Sequence, residues 1–166
     1  MYVDPKKVGD EGIVIYDADL QWRQILTREL HVAGFAHVTQ TATAKEALQA
    51  IRDSAAGAII TQHDLDLIAF LRTHKASPNR DIVIILVTAE LAAADIIAGR
   101  DSGVTEIVAK PASVDQVIKH LYEALTHPRR FIDAKSYHGP DRRRHLRDYD
   151  KPERRGGGKA AVSDDT

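Results

Sequence analysis

The sequence predicts an α/β fold in which five parallel strands alternate with five helices in a doubly wound (βα)5 sheet, followed by a disordered, arginine-rich C-terminal tail. Within residues 11–126, short apolar runs of strand length alternate five times with segments whose apolar residues have helical spacing. Beyond residue 126 this periodicity disappears while Arg, Gly, Pro and Asp accumulate, and such a segment buries too little apolar surface to offset its ordering entropy. The predicted organisation is an extension (1–10), a domain (11–126) and a tail (127–166).

The first two strand–helix units occupy residues 12–52. Residues 12–16 are a short apolar run that ends in acids, which is typical of a buried strand. Residues 20–33 carry apolar side chains at helical spacing, and Gly34 provides a C-terminal stop. A second strand at 36–40 precedes a helix at 43–52 that gathers its apolar residues on one face.

The third unit and the fourth strand follow the same pattern. Residues 58–61 predict a strand and residues 65–74 a helix. Residues 81–87 form the strongest strand, because every residue after the first is apolar. Such a run is expected in the centre of a parallel sheet, where helices cover both faces.

The last elements complete the alternation. Residues 91–100 form an alanine-rich helical segment that Gly103 ends, and residues 105–109 predict the fifth strand. The fifth helix, at 113–126, opens with Ser113 and Gln116 at the spacing of a capping box. Five strand–helix pairs in this order imply a parallel sheet with right-handed crossovers. In such a sheet the functional residues lie at the carboxyl ends of the strands.

Composition excludes several classes of function. The chain of 166 residues has no cysteine, which excludes a disulfide framework, a thiolate zinc site and a cysteine nucleophile. No glycine-rich phosphate loop is present, so we expect no nucleotide hydrolysis. We also expect no enzymatic activity, no bound metal and no cofactor. Neither a signal peptide nor an apolar run of membrane-span length is visible. We therefore expect a soluble cytoplasmic protein that has no membrane partner.

Charge is distributed unevenly along the chain. Residues 1–126 hold 12 Lys and Arg against 17 Asp and Glu, whereas residues 127–159 hold 11 against 5. A mildly acidic domain with a basic tail suggests that the tail binds something anionic.

Residues at the predicted strand ends match a known pattern. Residues 88–90 read Thr-Ala-Glu after the fourth strand, and Lys110 and Pro111 follow the fifth. Asp17 ends the first strand and Arg23 lies on the first helix. With these features in this order, residues 11–126 resemble a CheY-like response-regulator receiver domain, which has a flavodoxin-like fold. In that family the Lys-Pro peptide bond is typically cis.

The resemblance fails where receivers become phosphorylated. Their magnesium ion is bound by two acids after the first strand and by the acceptor Asp after the third, because hard oxygen ligands neutralise the phosphoryl charge. Here Asp17 supplies the first acid, but the second position falls on Ala18 and the acceptor position on Gln62. Asp19 is displaced by one residue and should point the other way. We therefore expect a degenerate site at which phosphorylation is not the input.

Other receiver positions support the same interpretation. The aromatic residue that gates output in CheY falls on Ile107, and Thr88 and Lys110 are expected to persist as parts of the fold. Asp64 or Asp66 remains an alternative acceptor in a shifted register. We favour the interpretation that these two acids cap the third helix, where Asp is preferred.

The tail contains a duplication. Residues 137–143 and 149–155 both read Tyr-x-x-Pro-acid-Arg-Arg, twelve residues apart. A guanine base suits this set of residues, because an Arg fork meets its N7 and O6 acceptors, a carboxylate accepts from its N–H donors and Tyr stacks on its face. The spare Arg of each copy can pair with phosphate. Two copies suit a ligand with two guanines and two phosphates.

The whole chain also resembles the Cle group of CheY-like proteins, in which an arginine-rich tail behind a receiver domain binds cyclic di-GMP. The resemblance implies an effector that docks on the flagellar motor switch, or on related surface-attachment machinery, when this messenger rises. Arginines are assigned to guanine edges and phosphates, acids to guanine N–H groups and tyrosines to stacking. The assigned residues are Tyr137, Pro140, Asp141, Arg142, Arg143, Arg144, Arg147, Asp148, Tyr149, Pro152, Glu153, Arg154 and Arg155.

Two alternatives stay open. A nucleic-acid-binding adaptor would use the same basic tail, but it would not need an acid before each Arg pair. A phospho-responsive receiver would use a displaced Asp. Phe131 and Ile132 are the unusual apolar residues of the tail, and they are candidates to anchor it on the domain or on a partner.

Overall fold

A computed structural model describes residues 8–89, 93–134 and 137–142, and the side chains of the first helical residues after the second gap (93–96) are left aside. Five parallel strands and five helices alternate along the domain, which confirms the predicted fold class. The strands are β1 (Ile13–Tyr16), β2 (Val38–Thr41), β3 (Ala58–Thr61), β4 (Val83–Thr88) and β5 (Glu106–Ala109). The helices are α1 (Leu20–Val32), α2 (Ala44–Ser54), α3 (Leu65–Thr73), α4 (Ala93–Asp101) and α5 (Val114–Thr126).

The sheet has the strand order β2-β1-β3-β4-β5, so β5 is an edge strand. All four pairings in it are parallel, and β1 lies between β2 and β3. The carboxyl ends of β1, β3, β4 and β5 therefore lie along one edge of the sheet, which brings together the groups that follow these strands.

The core consists of two apolar layers, one on each face of the sheet. Ile13 and Ile15 of β1 belong to the layer that α1 and α5 cover, whereas Val14 belongs to the layer that α2 and α3 cover. Successive strand residues point to opposite faces, so one apolar strand supplies both layers. This arrangement explains why the strands are continuously apolar, as the sequence indicated.

Helix termini agree with the local sequence signals. Ser113 and Gln116 form the predicted capping box at α5, and Thr43 and Glu46 form another at α2.

The second strand begins at Val38, two residues later than predicted. None of the helices in the described part of the chain is both long enough and apolar enough to cross a bilayer.

The tail prediction requires a correction. We predicted disorder from residue 127 onward, yet β6 (Phe131–Ala134) and β7 (Tyr137–Pro140) form a two-stranded antiparallel sheet. A lone hairpin is at best marginally stable in water, and this one is ordered because it packs against the domain. The disorder prediction therefore does not apply to these two strands, and residues 143–166 lie outside the described part.

The hairpin packs over a buried arginine at the C-terminal end of α3. Arg72 is fully buried, and its Nε and Nη1 donate to the carbonyls of Gly103 and Arg80 at 2.8 and 2.7 Å. The ring of Phe131 covers its guanidinium, so Phe131 is an anchor on the domain. Ile132, the other candidate anchor, is 36% exposed. Burial lowers the pKa of Arg72 to about 10, so the side chain is still cationic at pH 7.

Candidate functional site

The first candidate site lies at the carboxyl edge of the sheet and contains Asp17 and Lys110. The Nζ of Lys110 is 3.4 Å from Oδ2 of Asp17, and Oδ1 of Asp17 accepts from the backbone N–H of Asp19 at 2.9 Å. Arg23 donates to the backbone carbonyl of Asp17. Asp17 is 5% exposed, so this edge holds a buried carboxylate whose oxygens have partners within the chain.

Asp19 does not face this carboxylate. Its side chain caps α1 by accepting from the backbone N–H groups of Gln21 and Trp22 at 2.9 and 3.2 Å. Successive residues of an extended segment point in opposite directions, which is the geometry expected for Asp19. The position between the two acids belongs to Ala18, which has no side-chain ligand atom.

Gln62 follows β3 at the position where the resemblance places the phosphoryl acceptor. Its Oε1 accepts from the backbone N–H of Ala18 at 2.9 Å, and its Nε2 donates to the hydroxyl of Tyr16 at 3.3 Å. The amide therefore connects the ends of β1 and β3. A carboxamide has no anionic oxygen that could attack a phosphoryl group.

Asp64 serves as the N-cap of α3, as the capping interpretation predicted. Its Oδ1 accepts from the backbone N–H of Leu67 at 2.9 Å, and its Oδ2 accepts from the Tyr16 hydroxyl at 3.1 Å. Burial, and then the hydrogen bond and charge of Asp64, raise the pKa of the Tyr16 phenol. Asp66 lies in the first turn of the same helix.

Receivers bind magnesium at this edge, so we tested whether the residues present fit that ion. Among the described residues, no three His, Cys, Asp or Glu side chains converge as a metal site. Asp17 is paired with Lys110, Asp19 is turned into a helix cap and Ala18 lacks a ligand. The donor set therefore does not fit magnesium, which requires several oxygen ligands in octahedral geometry.

Other positions of the family pattern lie on or after β4 and β5. The peptide bond between Lys110 and Pro111 is cis, as the resemblance implied. Thr88 ends β4 and is 5% exposed, whereas Glu90 lies outside the described residues. Ile107 is half-buried on β5, and its side chain packs beside Gly99 of α4.

The second candidate site lies where the β6–β7 hairpin meets the domain, next to the amino ends of β4 and β5. Nε2 of His138 is 2.9 Å from Oδ1 of Asp81, which precedes β4. Gly139 packs directly on Gly103, which precedes β5 and has φ +89°. A Cβ on Gly103 would lie 2.7 Å from the carbonyl oxygen of His138, so the close approach requires glycine there.

Two ion pairs tie the flanks of the hairpin to the domain. Arg129, before β6, pairs with Glu106 of β5. Arg142, after β7, pairs with Asp101 at the end of α4, with 2.7 Å between Nη1 and Oδ1. The Arg142 guanidinium also lies 4.0 Å from the centre of the Tyr137 ring, so a cation and an aromatic ring form one platform.

Hydrogen bonds within the hairpin support the strand β7, which contains the start of the first tail motif. The Tyr137 hydroxyl donates to the carbonyl of Pro140 at 2.8 Å. The backbone N–H of Asp141 donates to the carbonyl of Arg130 at 2.8 Å, which extends the pairing of the hairpin beyond β7. Tyr137, Pro140, Asp141 and Arg142 are thus brought together in one ordered segment.

A cavity of about 470 Å³ lies between this segment and the edge strand β5. Three arginines, one carboxylate and one tyrosine contribute polar groups to its wall. The lining residues are Arg100, Val104, Thr105, Glu106, Ile107, Arg129, Tyr137, Pro140 and Arg142. The cavity therefore joins the tail motif to the domain in one cationic surface.

Comparison with known proteins identifies the domain. The model of the response regulator receiver domain matches residues 13–122. The chain belongs to the response regulator receiver family. The receiver is similar to chemotaxis protein CheY4 of Vibrio cholerae, with a TM-score of 0.62 and 21% identity over 69% of this chain and 98% of that one.

Two further solved structures share the receiver fold. A CheY-like receiver domain protein from Methanospirillum hungatei has a TM-score of 0.61 and 20% identity, covering 70% of this chain and 94% of that one. A LuxR-family DNA-binding response regulator from Staphylococcus aureus has a TM-score of 0.60 and 16% identity, covering 68% and 97%. At these identities the likeness concerns the fold. No curated protein sequence matches the receiver.

The predicted ligand residues of the tail fall into two groups, of which Tyr137, Pro140, Asp141 and Arg142 are described. The second motif and the residues between the motifs lie outside the described part of the chain, namely Arg143, Arg144, Arg147, Asp148, Tyr149, Pro152, Glu153, Arg154 and Arg155. Sequence reasoning missed Arg100, Glu106 and Arg129, which line the cavity beside the first motif. Arg129 belongs to the basic tail segment, but no local pattern singles out Arg100 or Glu106, because the hairpin brings them to the tail from a distance in sequence.

Proposed function

We propose that this receiver is a non-enzymatic effector of cyclic di-GMP, which binds through guanine and phosphate contacts of the arginine-rich tail. The observation that carries the proposal is the repeated Tyr-x-x-Pro-acid-Arg-Arg unit, of whose first copy residues 137–142 lie on the domain beside a cavity lined by arginines. Cyclic di-GMP has two guanines and two phosphates, which two copies of the unit would divide between them.

The arrangement of the first motif supports this assignment. The Tyr137 ring and the Arg142 guanidinium already stack in the way that a guanine would stack on either group. Arg142 pairs with Asp101, and both side chains are about half exposed. An exposed ion pair contributes little stability, so Arg142 would exchange Asp101 for a group of the ligand at small cost.

Loss of the phosphorylation input is the second part of the proposal. Gln62 stands at the acceptor position, Ala18 at the second acid and Lys110 pairs with Asp17. Signalling by this receiver then depends on a ligand rather than on a phosphoryl group. Asp64 and Asp66 are the alternative acceptors, but the two oxygens of Asp64 already accept from Leu67 and Tyr16, and Asp66 lies in the first turn of α3.

The output is docking on a protein partner, for which the flagellar motor switch is the candidate that the resemblance to the Cle group implies. Ile107 lines the cavity and stands at the position of the CheY output aromatic. A ligand in this cavity would therefore change the same face that is used for output. Residues after Arg142 would fold around the ligand, which supplies the charge and stacking surface that the tail lacks alone.

Calorimetric titration of the full chain with cyclic di-GMP tests the proposal. We expect micromolar or tighter binding and much weaker binding of GMP, which brings one guanine. Arg143→Ala or Asp141→Ala should weaken binding at least about tenfold, because each removes a charge-assisted hydrogen bond. Arg28→Ala, in an exposed ion pair on α1, is the matched control. Absence of heat with micromolar ligand would contradict the proposal.

A further inference from the structure

We infer that the cavity between β5 and the hairpin is a half-site for one guanosine monophosphate unit of the dinucleotide, and that Arg100 of the receiver domain belongs to it. The inference rests on the proposed function and adds to it, because it places part of the ligand site outside the tail. The second unit of the ligand would be left to the remainder of the tail.

The cavity has the size and lining of a ligand site. Its volume of about 470 Å³ falls within the roughly 300–1,000 Å³ that is usual for small-molecule sites. The wall combines apolar groups of Val104, Ile107 and Pro140 with polar groups from Tyr137 and Glu106. Three arginines add positive charge to this mixed wall, and charge-assisted hydrogen bonds from arginine are what a nucleotide phosphate requires.

The cations of the cavity differ in how they are paired. Glu106 forms an ion pair with Arg129, and Asp101 forms an ion pair with Arg142. For Arg100, which is exposed at the rim, no ion pair is recorded within the described residues. Arg100 is therefore the cation that can meet an incoming phosphate without giving up a partner.

The positions of these groups suit the parts of the ligand. A phosphate diester between Arg100 and Arg129 would gain two charge-assisted contacts, and an arginine fork is the geometry that phosphate prefers. The guanine would stack against the platform of Tyr137 and Arg142. Glu106 would then accept from the base N–H groups, in the role that the sequence assigned to acids of the tail. An anion without a base would use only the arginines, so guanine selectivity depends on Tyr137 and Glu106.

The test is calorimetry on the full chain with cyclic di-GMP, comparing Arg100→Ala and Arg100→Lys with Arg28→Ala. We expect Arg100→Ala to weaken binding about tenfold or more and Arg100→Lys to weaken it less, because lysine retains the charge but loses the fork. The control should bind as the wild type does. Arg100 is exposed, so its replacement leaves the core of the domain unchanged.

A second measurement locates the ligand. In amide NMR spectra of the full chain, resonances of Glu106 and Ile107 should shift on titration, whereas those of β2 at the opposite edge should not. If wild type binds but Arg100→Ala binds equally well and β5 does not shift, the half-site is wrong and the tail alone carries the proposed function. If wild type does not bind at all, both the half-site and the proposed function are wrong.

Discussion

The guanidinium of Arg72 lies 5.1 Å from the centre of the Phe131 ring, so a cation buried in the domain is covered by an aromatic residue of the tail. The ring of His138 lies 5.7 Å from that of Phe131, centre to centre. These contacts lie in the interface between the hairpin and the domain. The position of Tyr137 and Arg142 beside the cavity therefore depends on Phe131.

Phe131→Ala should release the hairpin without unfolding the domain. A desolvated cation–π contact contributes up to about 2 kcal/mol, so we expect amide hydrogen exchange in β6 and β7 to accelerate about tenfold or more. Exchange in β3, at the centre of the sheet, should not change. Ile132→Ala is the matched control, because this neighbouring side chain is 36% exposed. Equal effects of the two replacements would show that Phe131 is not the anchor.

Restoring acids should restore magnesium chemistry only when two positions change together. Trp22 is the single tryptophan, and Lys110 Nζ lies 5.6 Å from its ring centre, so its fluorescence reports on this edge. We expect no change in wild type with magnesium and beryllofluoride. Gln62→Asp alone should respond weakly, whereas Ala18→Asp combined with Gln62→Asp should respond, because the ion then has three carboxylates. A saturable response of wild type would instead support Asp64 or Asp66 as a phosphoryl acceptor.

Replacing the two tail acids separates the ligand hypotheses. Asp141→Asn combined with Glu153→Gln preserves shape but removes the carboxylates that would accept from guanine N–H groups. We expect binding of cyclic di-GMP to fall about tenfold or more, whereas binding of a generic single-stranded oligonucleotide should hold or tighten. Fluorescence anisotropy with both labelled ligands at two salt concentrations measures this. Unchanged cyclic di-GMP affinity, together with steeply salt-dependent oligonucleotide binding, would favour the nucleic-acid adaptor.

The Tyr16 phenol should make stability fall at high pH. Its pKa is raised above the ordinary value of 10.0 in the folded state, chiefly by burial. The folded state therefore retains the proton where the unfolded state loses it, so the free energy of unfolding falls as pH rises above 10.0 toward the folded pKa. Urea unfolding on both sides of pH 10.0 should show this loss, and Tyr16→Phe should reduce it. An identical decline in both proteins would assign it to other groups.

The structural features that depend on residues close together in the sequence could be predicted from it. The capping box of Ser113 and Gln116 depends on residues three apart, and the orientation of Asp19 follows from the alternation of an extended segment. The apolar runs of the strands required both faces to be covered, which determined the layered architecture. These features needed no knowledge of contacts between distant residues.

The hairpin could not be predicted in this way, because its strands are only four residues long and the second contains glycine and proline, which are uncommon in strands. Its order derives from contacts with residues far away in sequence, such as Phe131 with Arg72 and Gly139 with Gly103. The spacing of apolar residues along a strand depends only on residues close in sequence. It therefore does not reveal a contact with a distant residue that the folded domain brings near. The cavity was missed for the same reason, since Arg100 becomes relevant only after the hairpin has docked.

The hairpin meets the sheet at the amino ends of β4 and β5, whereas Asp17 and Lys110 follow the carboxyl ends of β1 and β5. The six residues of β4 separate these edges by about 17 Å. The hairpin and the Asp17–Lys110 pair therefore lie at opposite edges of the sheet. Under the proposed function, this hairpin grafted onto a receiver that retains all its acids would give a domain with two inputs. Cyclic di-GMP would act at one edge of the sheet and the phosphoryl group at the other.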